Sequence, residues 1–175
     1  KLTGFEALIR WQHSSLGNIA PDYFIPIAEE TGFIIEIGRW VLNSVCLQIC
    51  EWKKQNKNFN RIAVNMSVKQ LQQASLIDNI KDVLNTTGCK PEWLEIELTE
   101  GFLLSDQEGA IGKLEQLRAL GISLAIDDFG TGYSSLSYLK KLPITKLKID
   151  KSFIDELPNN ADDVAISLAI LALGK

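Results

Sequence analysis

Histidine, cysteine and basic charge are all scarce in this sequence. Of its 175 residues, one is histidine and three are cysteine, and 18 Lys and Arg against 22 Asp and Glu leave a net charge of -4. The lack of a basic surface argues against general binding to nucleic acid polymers or to an anionic membrane. No apolar run approaches the ~20 residues of a membrane-spanning helix. We therefore expect a soluble, cytoplasmic piece, although its parent protein can still be tethered to a membrane.

The few cysteine and histidine residues do not form a metal-binding pattern. Cys46, Cys50 and Cys89 are odd in number, and the first two lie four residues apart in an apolar helical pattern. We expect thiols buried in a reducing cytoplasm rather than a disulfide or a metal site. His13 follows a strand in a polar stretch, where a surface position is expected. Zinc and copper sites are therefore not indicated.

Apolar runs and amphipathic segments alternate along the whole chain. The apolar runs predict strands at 2–11, 61–67, 94–100, 122–126 and 144–150. The amphipathic segments predict helices at 21–32, 35–55, 75–86, 106–120 and from about 161 onward. In the second of these helices, Trp40 and Trp52 are expected in the core. Strands that alternate with helices form a parallel sheet with helical crossovers, so we expect a single domain over 1–175.

Each predicted strand carries a polar residue near its end. These residues are Glu6, Asn65, Glu97, Asp127 and Lys148. An open doubly wound sheet places its site at one switch point, whereas a barrel brings the ends of all its strands around one axis. A barrel accounts for all five residues together. We therefore predict an α/β fold, an incomplete (β/α)8 barrel of the TIM type with about five parallel strands.

The types of these residues indicate a cation site that acts on phosphate. Asp127 and Asp128 are adjacent at the end of a buried strand, where a divalent cation would relieve their repulsion and loss of solvation. The oxygen donors of Asn, Glu and Asp select Mg²⁺, Mn²⁺ or Ca²⁺. Lys148 can neutralise charge there or hold an attacking water, and Arg10, on the same strand face as Glu6 by parity, suits a phosphate oxygen. Together they predict hydrolysis of a phosphate ester.

Two further glutamates near the third strand each have two possible roles. Glu95 is expected to be solvated or paired on a flank of the sheet. Glu100 lies just beyond the strand, where it either supports the glycine-containing loop through backbone amides or caps a helix. The residues alone do not decide between these two roles of Glu100.

In these residues the chain resembles the EAL-domain family, the bacterial cyclic di-GMP phosphodiesterases. Glu6, Ala7 and Leu8 match the eponymous motif, and Arg10 extends it to Glu-x-Leu-x-Arg. The other matching segments, in order, are 24–32, 63–67, 97–100, 127–135 and 147–150. Met66, where the family often has Leu, is a minor departure. The resemblance covers nearly the entire chain.

The resemblance implies a modified (β/α)8 barrel with one strand reversed, and cleavage of cyclic di-GMP to linear pGpG in bacterial signalling. The cofactor it implies is Mg²⁺ or Mn²⁺, whereas Ca²⁺, with a larger and looser coordination shell, is expected to permit binding and inhibit cleavage. One metal ion would be held by the four residues Glu6, Asn65, Glu97 and Asp127. A second would be held by Asp127 and Asp128.

The resemblance also implies catalytic and substrate-binding roles. Lys148 would contact the nucleophilic water beside Glu97 and Asp127, while Arg10 and the backbone near Leu8 would hold the substrate phosphate. Glu100 would brace the loop 128–135. A homodimer is expected, either through the region 128–142 or through exposed strand edges.

Several parts of the family pattern are not found in the 175 residues. The pattern has a strand before Glu6, and after residue 175 two strands with a Glu-Gly-Val-Glu segment and a later Gln. Because five strands cannot close an eight-stranded barrel, we expect a domain fragment, truncated at both ends and weakly active or inactive alone. A noncatalytic cyclic di-GMP receptor or partner-binding module is the alternative function. An enolase-type barrel enzyme is disfavoured by Arg10 and the loop 127–135.

Overall fold

Seven strands lie in the part of the chain that the computed structural model describes, residues 2–101, 108–130 and 139–173. In chain order, β1 to β7 are Gly4–Ala7, Trp11–His13, Gly17–Ile19, Arg61–Asn65, Leu94–Thr99, Ser123–Phe129 and Lys146–Ile149. Five of them form one sheet in the order β1-β4-β5-β6-β7, and every neighbouring pair is parallel. The sheet is half of a TIM-type barrel, which confirms the predicted fold class.

Helices connect the strands of this sheet. In chain order, α1 to α6 are Pro21–Thr31, Ile34–Lys54, Val68–Gln72, Leu76–Thr87, Glu108–Leu120 and Ala161–Leu173. Helix α1 begins at a proline, which is well suited to a first helical turn, and ends before Gly32, whose φ is 82°. The first two, the fourth and the last two were predicted. Helix α3 was not predicted, because five residues are too few to show a helical period.

The core lies between the outer face of the sheet and the helices. Leu94, Ile96 and Leu98 on β5 are all 0% exposed. Burying each such side chain contributes roughly 1.5–3 kcal/mol. Since side chains alternate along a strand, Glu95 and Glu97 point to the opposite, inner face. The packing of the outer face therefore fixes which way these two glutamates point.

The first predicted strand is shorter than expected. It ends at Ala7, and the antiparallel hairpin of β2 and β3 follows it. Arg10 lies between β1 and β2 and outside both, so the parity argument that placed it on the same strand face as Glu6 is wrong. Arg10 belongs to the short segment that links the end of β1 to the hairpin, and this segment is not extended strand.

The prediction that Trp40 lies in the core is also wrong. Helix α2 buries a stripe formed by Leu42, Val45 and Ile49, and Trp40 projects away from it with 62% of its surface exposed. Trp52, by contrast, is partly buried against the core, and its ring lies 5.4 Å from that of Phe5. The apolar periodicity of the helix predicts both tryptophans in the core, but only Trp52 packs against it.

The three cysteines are free thiols, as predicted. Cys46 and Cys89 are buried, and Cys50 is half-buried. In the described ranges no single helix has the length and hydropathy needed to cross a membrane, and α1 and α2 would qualify only as a pair with a 120° bend between them.

Candidate active site

Lys148 lies at the centre of a group of acids at the carboxyl edge of the sheet. Its Nζ is 2.8 Å from Glu97 Oε2, 2.8 Å from Asp127 Oδ2 and 3.7 Å from Glu6 Oε2. Glu97 has only 1% of its side chain exposed, and Asp127 has 18%. These residues come from β1, β5, β6 and β7, as the barrel hypothesis expected.

Asn65 completes this group from the end of β4. Its Nδ2 donates a hydrogen bond to Glu6 Oε1 at 2.9 Å. One carboxylate oxygen each from Glu6, Glu97 and Asp127 lie within 4.8 Å of one another. We refer to Glu6, Asn65, Glu97 and Asp127 as the acidic cluster. The sequence hypothesis placed these four together with Lys148, and the structure does bring them together.

Asn65 lies at the junction between β4, where it is the register partner of Glu97, and the start of α3. Ser67 and Gln70 form a capping box, in which each side chain accepts a hydrogen bond from the other residue's backbone N–H. Gly38 on α2 leaves room for this arrangement, because a Cβ there would lie 1.7 Å from Gln70 Nε2. The backbone N–H of Met66 donates to Glu97 O at 2.9 Å and joins the ends of β4 and β5.

A turn with unusual backbone angles follows Asp127. Asp128 has φ 53°, a left-handed conformation that is uncommon for residues other than glycine, and its N–H donates to Asp127 Oδ1 at 3.0 Å. Gly130 has φ 110°, and its N–H donates to Glu100 Oε2 at 2.8 Å. This contact agrees with the interpretation in which Glu100 supports the glycine-containing loop through a backbone amide. Residues 131–138, which include most of the loop and of the expected dimer region, lie outside the described residues.

Burial, and to a smaller extent the proximity of other carboxylates, shifts the pKa values of the acids at this site. Burial, with smaller contributions from Asp127 and Glu6, raises the pKa of Glu97 above its ordinary value, although Lys148 opposes the shift. Burial and then Asp127 and Asp150 raise the pKa of Asp128. Burial lowers the pKa of Lys148, but its hydrogen bonds to Asp127 and Glu97 outweigh this effect, so the net pKa is raised. The site therefore favours positive charge.

The donors present fit a hard divalent cation. Carboxylate and amide oxygens are the ligands that Mg²⁺, Mn²⁺ and Ca²⁺ prefer, and three carboxylates already converge without rearrangement. Lys148 neutralises part of their charge. This group of residues can therefore hold a metal ion.

Leu8 and Arg10 do not contact the acidic cluster directly. Leu8 is 56% exposed, and Arg10 donates a hydrogen bond to Ile9 O at 2.8 Å. Both residues nevertheless line a cavity of about 440 Å³ that also reaches Asn65. A ligand in this cavity could contact both the Arg10 guanidinium and the edge of the acidic cluster.

Glu95 is not solvated, contrary to one of its two interpretations. It is 6% exposed and accepts a hydrogen bond from Lys146 Nζ at 2.7 Å. Sequence reasoning missed Lys146 altogether. The residue spacing does indicate it. Lys146 and Lys148 are two residues apart on one strand, so their side chains lie on the same face, as do those of Glu95 and Glu97 on another strand.

The fold and this site define an α/β protein with a half-barrel sheet and an acidic cluster around one lysine at its carboxyl edge. A model of the EAL domain family matches residues 1–175, and the chain belongs to that family. The resemblance of its motifs is thereby confirmed.

Three comparisons illustrate the relationship. The chain is 46% identical over 174 residues to the bifunctional diguanylate cyclase/cyclic di-GMP phosphodiesterase MucR of Pseudomonas aeruginosa, covering 99% of this chain and 25% of the relative. It is 42% identical over 170 residues to the cyclic di-GMP phosphodiesterase NbdA of the same organism, covering 97% and 22%. A solved complex of the PaMucR phosphodiesterase with c-di-GMP superposes with a TM-score of 0.90 at 47% identity, covering 97% of this chain and 68% of that one. The chain thus spans about a quarter or less of both curated relatives.

Proposed function

We propose that this chain belongs to an enzyme that hydrolyses one phosphodiester bond of cyclic di-GMP to give linear pGpG. The observation that carries the proposal is the convergence of Glu6, Glu97 and Asp127, with oxygens within 4.8 Å of one another, around Lys148. The names of MucR and NbdA, and the ligand in the solved PaMucR complex, support this substrate. The acidic chain and its free thiols fit a cytoplasmic enzyme.

The acidic cluster is proposed to hold Mg²⁺ or Mn²⁺. Glu6, Asn65, Glu97 and Asp127 would hold one ion, and Asp127 would share a second with Asp128. When bound, such ions polarise a phosphoryl oxygen and lower the pKa of water. Ca²⁺ is expected to bind and to inhibit cleavage, because its longer and more variable ligand distances misplace the water.

Lys148 is proposed to act as a hydrogen-bond donor. Burial lowers the pKa of its ammonium, but hydrogen bonds to Asp127 and Glu97 outweigh burial and raise the net pKa, which favours the protonated, donating form in the metal-free protein. A donor at this position can orient the attacking water and stabilise negative charge on the phosphoryl oxygens. Glu97 and Asp127 hold the ammonium in place at 2.8 Å each.

Substrate binding is assigned to the cavity beside the cluster. Arg10 and the backbone near Leu8 are proposed to hold a phosphate, since both residues line the cavity that reaches Asn65. Glu100 is proposed to hold the loop after Asp128 through its contact with Gly130. Together these residues orient the phosphodiester relative to the acidic cluster.

The test is hydrolysis of cyclic di-GMP by the intact protein in the presence of Mn²⁺, with pGpG measured by chromatography. Asp127→Asn keeps the size of the side chain and removes its charge, so we expect turnover to fall at least about 100-fold. Asp82→Asn, on the exposed side of α4, is the matched control and should retain wild-type turnover. If the wild-type protein binds cyclic di-GMP tightly but does not hydrolyse it, the receptor function is supported instead. If it does not bind cyclic di-GMP at all, both functions are contradicted.

A further inference from the structure

A second ion pair lies directly below the candidate active site. Lys146 Nζ is 2.7 Å from Glu95 Oε1, and only 8% of the Glu95 side chain is exposed. Lys148 and Glu97 likewise join β7 to β5 across the intervening strand β6. The two pairs form successive rungs on the inner face of the sheet. We call Lys146 with Glu95 the lower pair and Lys148 with Glu97 the upper pair.

Small side chains on β6 allow both pairs to pass over that strand. Ser123 and Ala125 face the same side as Asp127, and they are 2% and 0% exposed. The register places Ser123 beside Glu95 and Ala125 beside Glu97. Since neighbouring strands are about 4.8 Å apart, each pair spans roughly 10 Å between backbones. A lysine and a glutamate side chain together cover that distance.

The register places Lys146 level with Glu97 rather than with Glu95. Lys146 is the partner of Ala125 on β6, and Ala125 is the partner of Glu97 on β5. The Lys146 ammonium contacts Glu95, two residues earlier along β5, and Lys148, which lies level with the end of β5, reaches back to Glu97 in the same way. Both pairs line one cavity of about 450 Å³, which gives Lys146 room to turn toward Glu97.

We propose that Glu95 is a positioning residue that holds Lys146 away from Glu97. Lys148 then remains the one ammonium at the acidic cluster among the described residues. The inference rests on the proposed function, because it assigns Glu95 an effect on the cation site. A second ammonium at Glu97 would compete with a divalent cation for the same carboxylate.

Two substitutions that break the same lower pair should therefore give different results. Glu95→Gln keeps the shape of the side chain and releases Lys146, so Mn²⁺ affinity measured by titration calorimetry should fall about tenfold. Lys146→Met removes the ammonium, so Mn²⁺ affinity should be equal to that of the wild type or higher. The double variant Glu95→Gln/Lys146→Met should return the affinity to within about threefold of the wild type.

A purely structural lower pair predicts a different pattern. Both single variants would then weaken Mn²⁺ binding alike, and the double variant would be no better than Glu95→Gln. Either result overturns the proposal. Lys146 is half exposed, so Lys146→Met is expected to fold. If Glu95→Gln does not fold, weaker Mn²⁺ binding by Lys146→Met alone overturns the proposal, and unchanged or tighter binding supports it.

A crystal structure of the Glu95→Gln variant without added metal gives a readout that does not depend on activity. The Lys146 ammonium should lie within about 4 Å of the Glu97 carboxylate. A Lys146 side chain that extends into solvent would overturn the proposal. Wild-type protein that binds neither Mn²⁺ nor cyclic di-GMP would contradict the proposed function instead, and the position of Lys146 in the variant would still decide the role of Glu95.

Discussion

Lys148 on β7 reaches Glu97 on β5 across the whole width of β6, and their charged atoms lie 2.8 Å apart. The contact is possible because Ala125, which lies beside Glu97 on β6, has a small side chain. It links the outermost strand of the sheet to its centre. A substitution of Lys148 therefore changes both the charge of the acidic cluster and the connection between strands.

Lys148→Met should separate metal binding from turnover. Removing the ammonium takes away a cation that competes for Glu97 and Asp127, so Mn²⁺ should bind at least as tightly as in the wild type. Turnover should fall by about 100-fold or more, because the donor that orients the attacking water is lost. Calorimetry and product chromatography measure the two effects.

Lys151→Met is the matched control for this prediction. The side chain of Lys151 is 85% exposed and pairs only with Asp155 among the described residues. Its replacement should change neither Mn²⁺ affinity nor turnover. Weaker Mn²⁺ binding by Lys148→Met, or turnover equal to that of the wild type, would contradict the role assigned to Lys148.

Gly130→Ala should destabilise the protein. The φ of Gly130 is 110°, and an added Cβ would lie 2.8 Å from Phe153 Cε2 and 3.3 Å from Ile170 Cδ1. We expect the free energy of unfolding to fall by about 1–3 kcal/mol, measured by urea unfolding followed by circular dichroism. The strained backbone is the cause, since alanine disfavours this φ whatever space is available.

Gly112→Ala in α5 provides a control of opposite sign. An added Cβ there meets nothing within 4 Å, and the residue has ordinary helical geometry. Alanine in a helix interior is favoured over glycine by up to about 1 kcal/mol, so this variant should be more stable than the wild type. If Gly130→Ala and Gly112→Ala change the free energy of unfolding equally, the positive φ and close contacts described for Gly130 are contradicted.

Glu97 makes the free energy of unfolding of the metal-free protein depend on pH. Burial raises its pKa above the ordinary 4.5, so between pH 4.5 and the raised value the folded state binds more protons than the unfolded chain. The stability contributed by this protonation is complete below pH 4.5 and is lost as pH rises through the folded pKa. The free energy of unfolding should therefore decrease with rising pH in this window, apart from contributions of other groups.

Urea unfolding between pH 4.5 and about 7 tests this dependence. Glu97→Gln cannot titrate, so its stability should fall less steeply with pH than that of the wild type. Asp128, whose pKa is also raised by burial, accounts for part of the slope that remains. Glu92→Gln, at an exposed position, is the control and should keep the wild-type slope. A wild-type slope in Glu97→Gln would contradict the burial argument.

The sequence predicts the cluster well because period-two alternation and parallel strands leave little freedom. Once Leu94, Ile96 and Leu98 are buried on one face of β5, Glu97 must point to the other. Neighbouring parallel strands then bring Asp127 and Lys148 to the same edge. This part of the site follows from side-chain alternation and from the pairing of strands that are consecutive in the β/α order.

Other features depend on tertiary geometry that the sequence does not display. The sequence predicts Arg10 on the first strand, but β1 ends at Ala7 and Arg10 lies in the segment before the β2–β3 hairpin. The Lys146 and Glu95 pair requires the register of three strands, because its partners lie on β7 and β5. Trp40 is exposed because the buried stripe of α2 passes through Leu42, Val45 and Ile49.

The most direct test of the account is a crystal structure of the protein grown with Mn²⁺, with the ion located by its anomalous scattering. The account predicts a Mn²⁺ ion with ligand distances of about 2.2 Å to oxygens of Glu6, Asn65, Glu97 and Asp127. Lys148 should remain beside it as a hydrogen-bond donor. An ion that binds elsewhere, or no ion at this edge of the sheet at saturating Mn²⁺, would contradict the proposal that these four residues form one cation site.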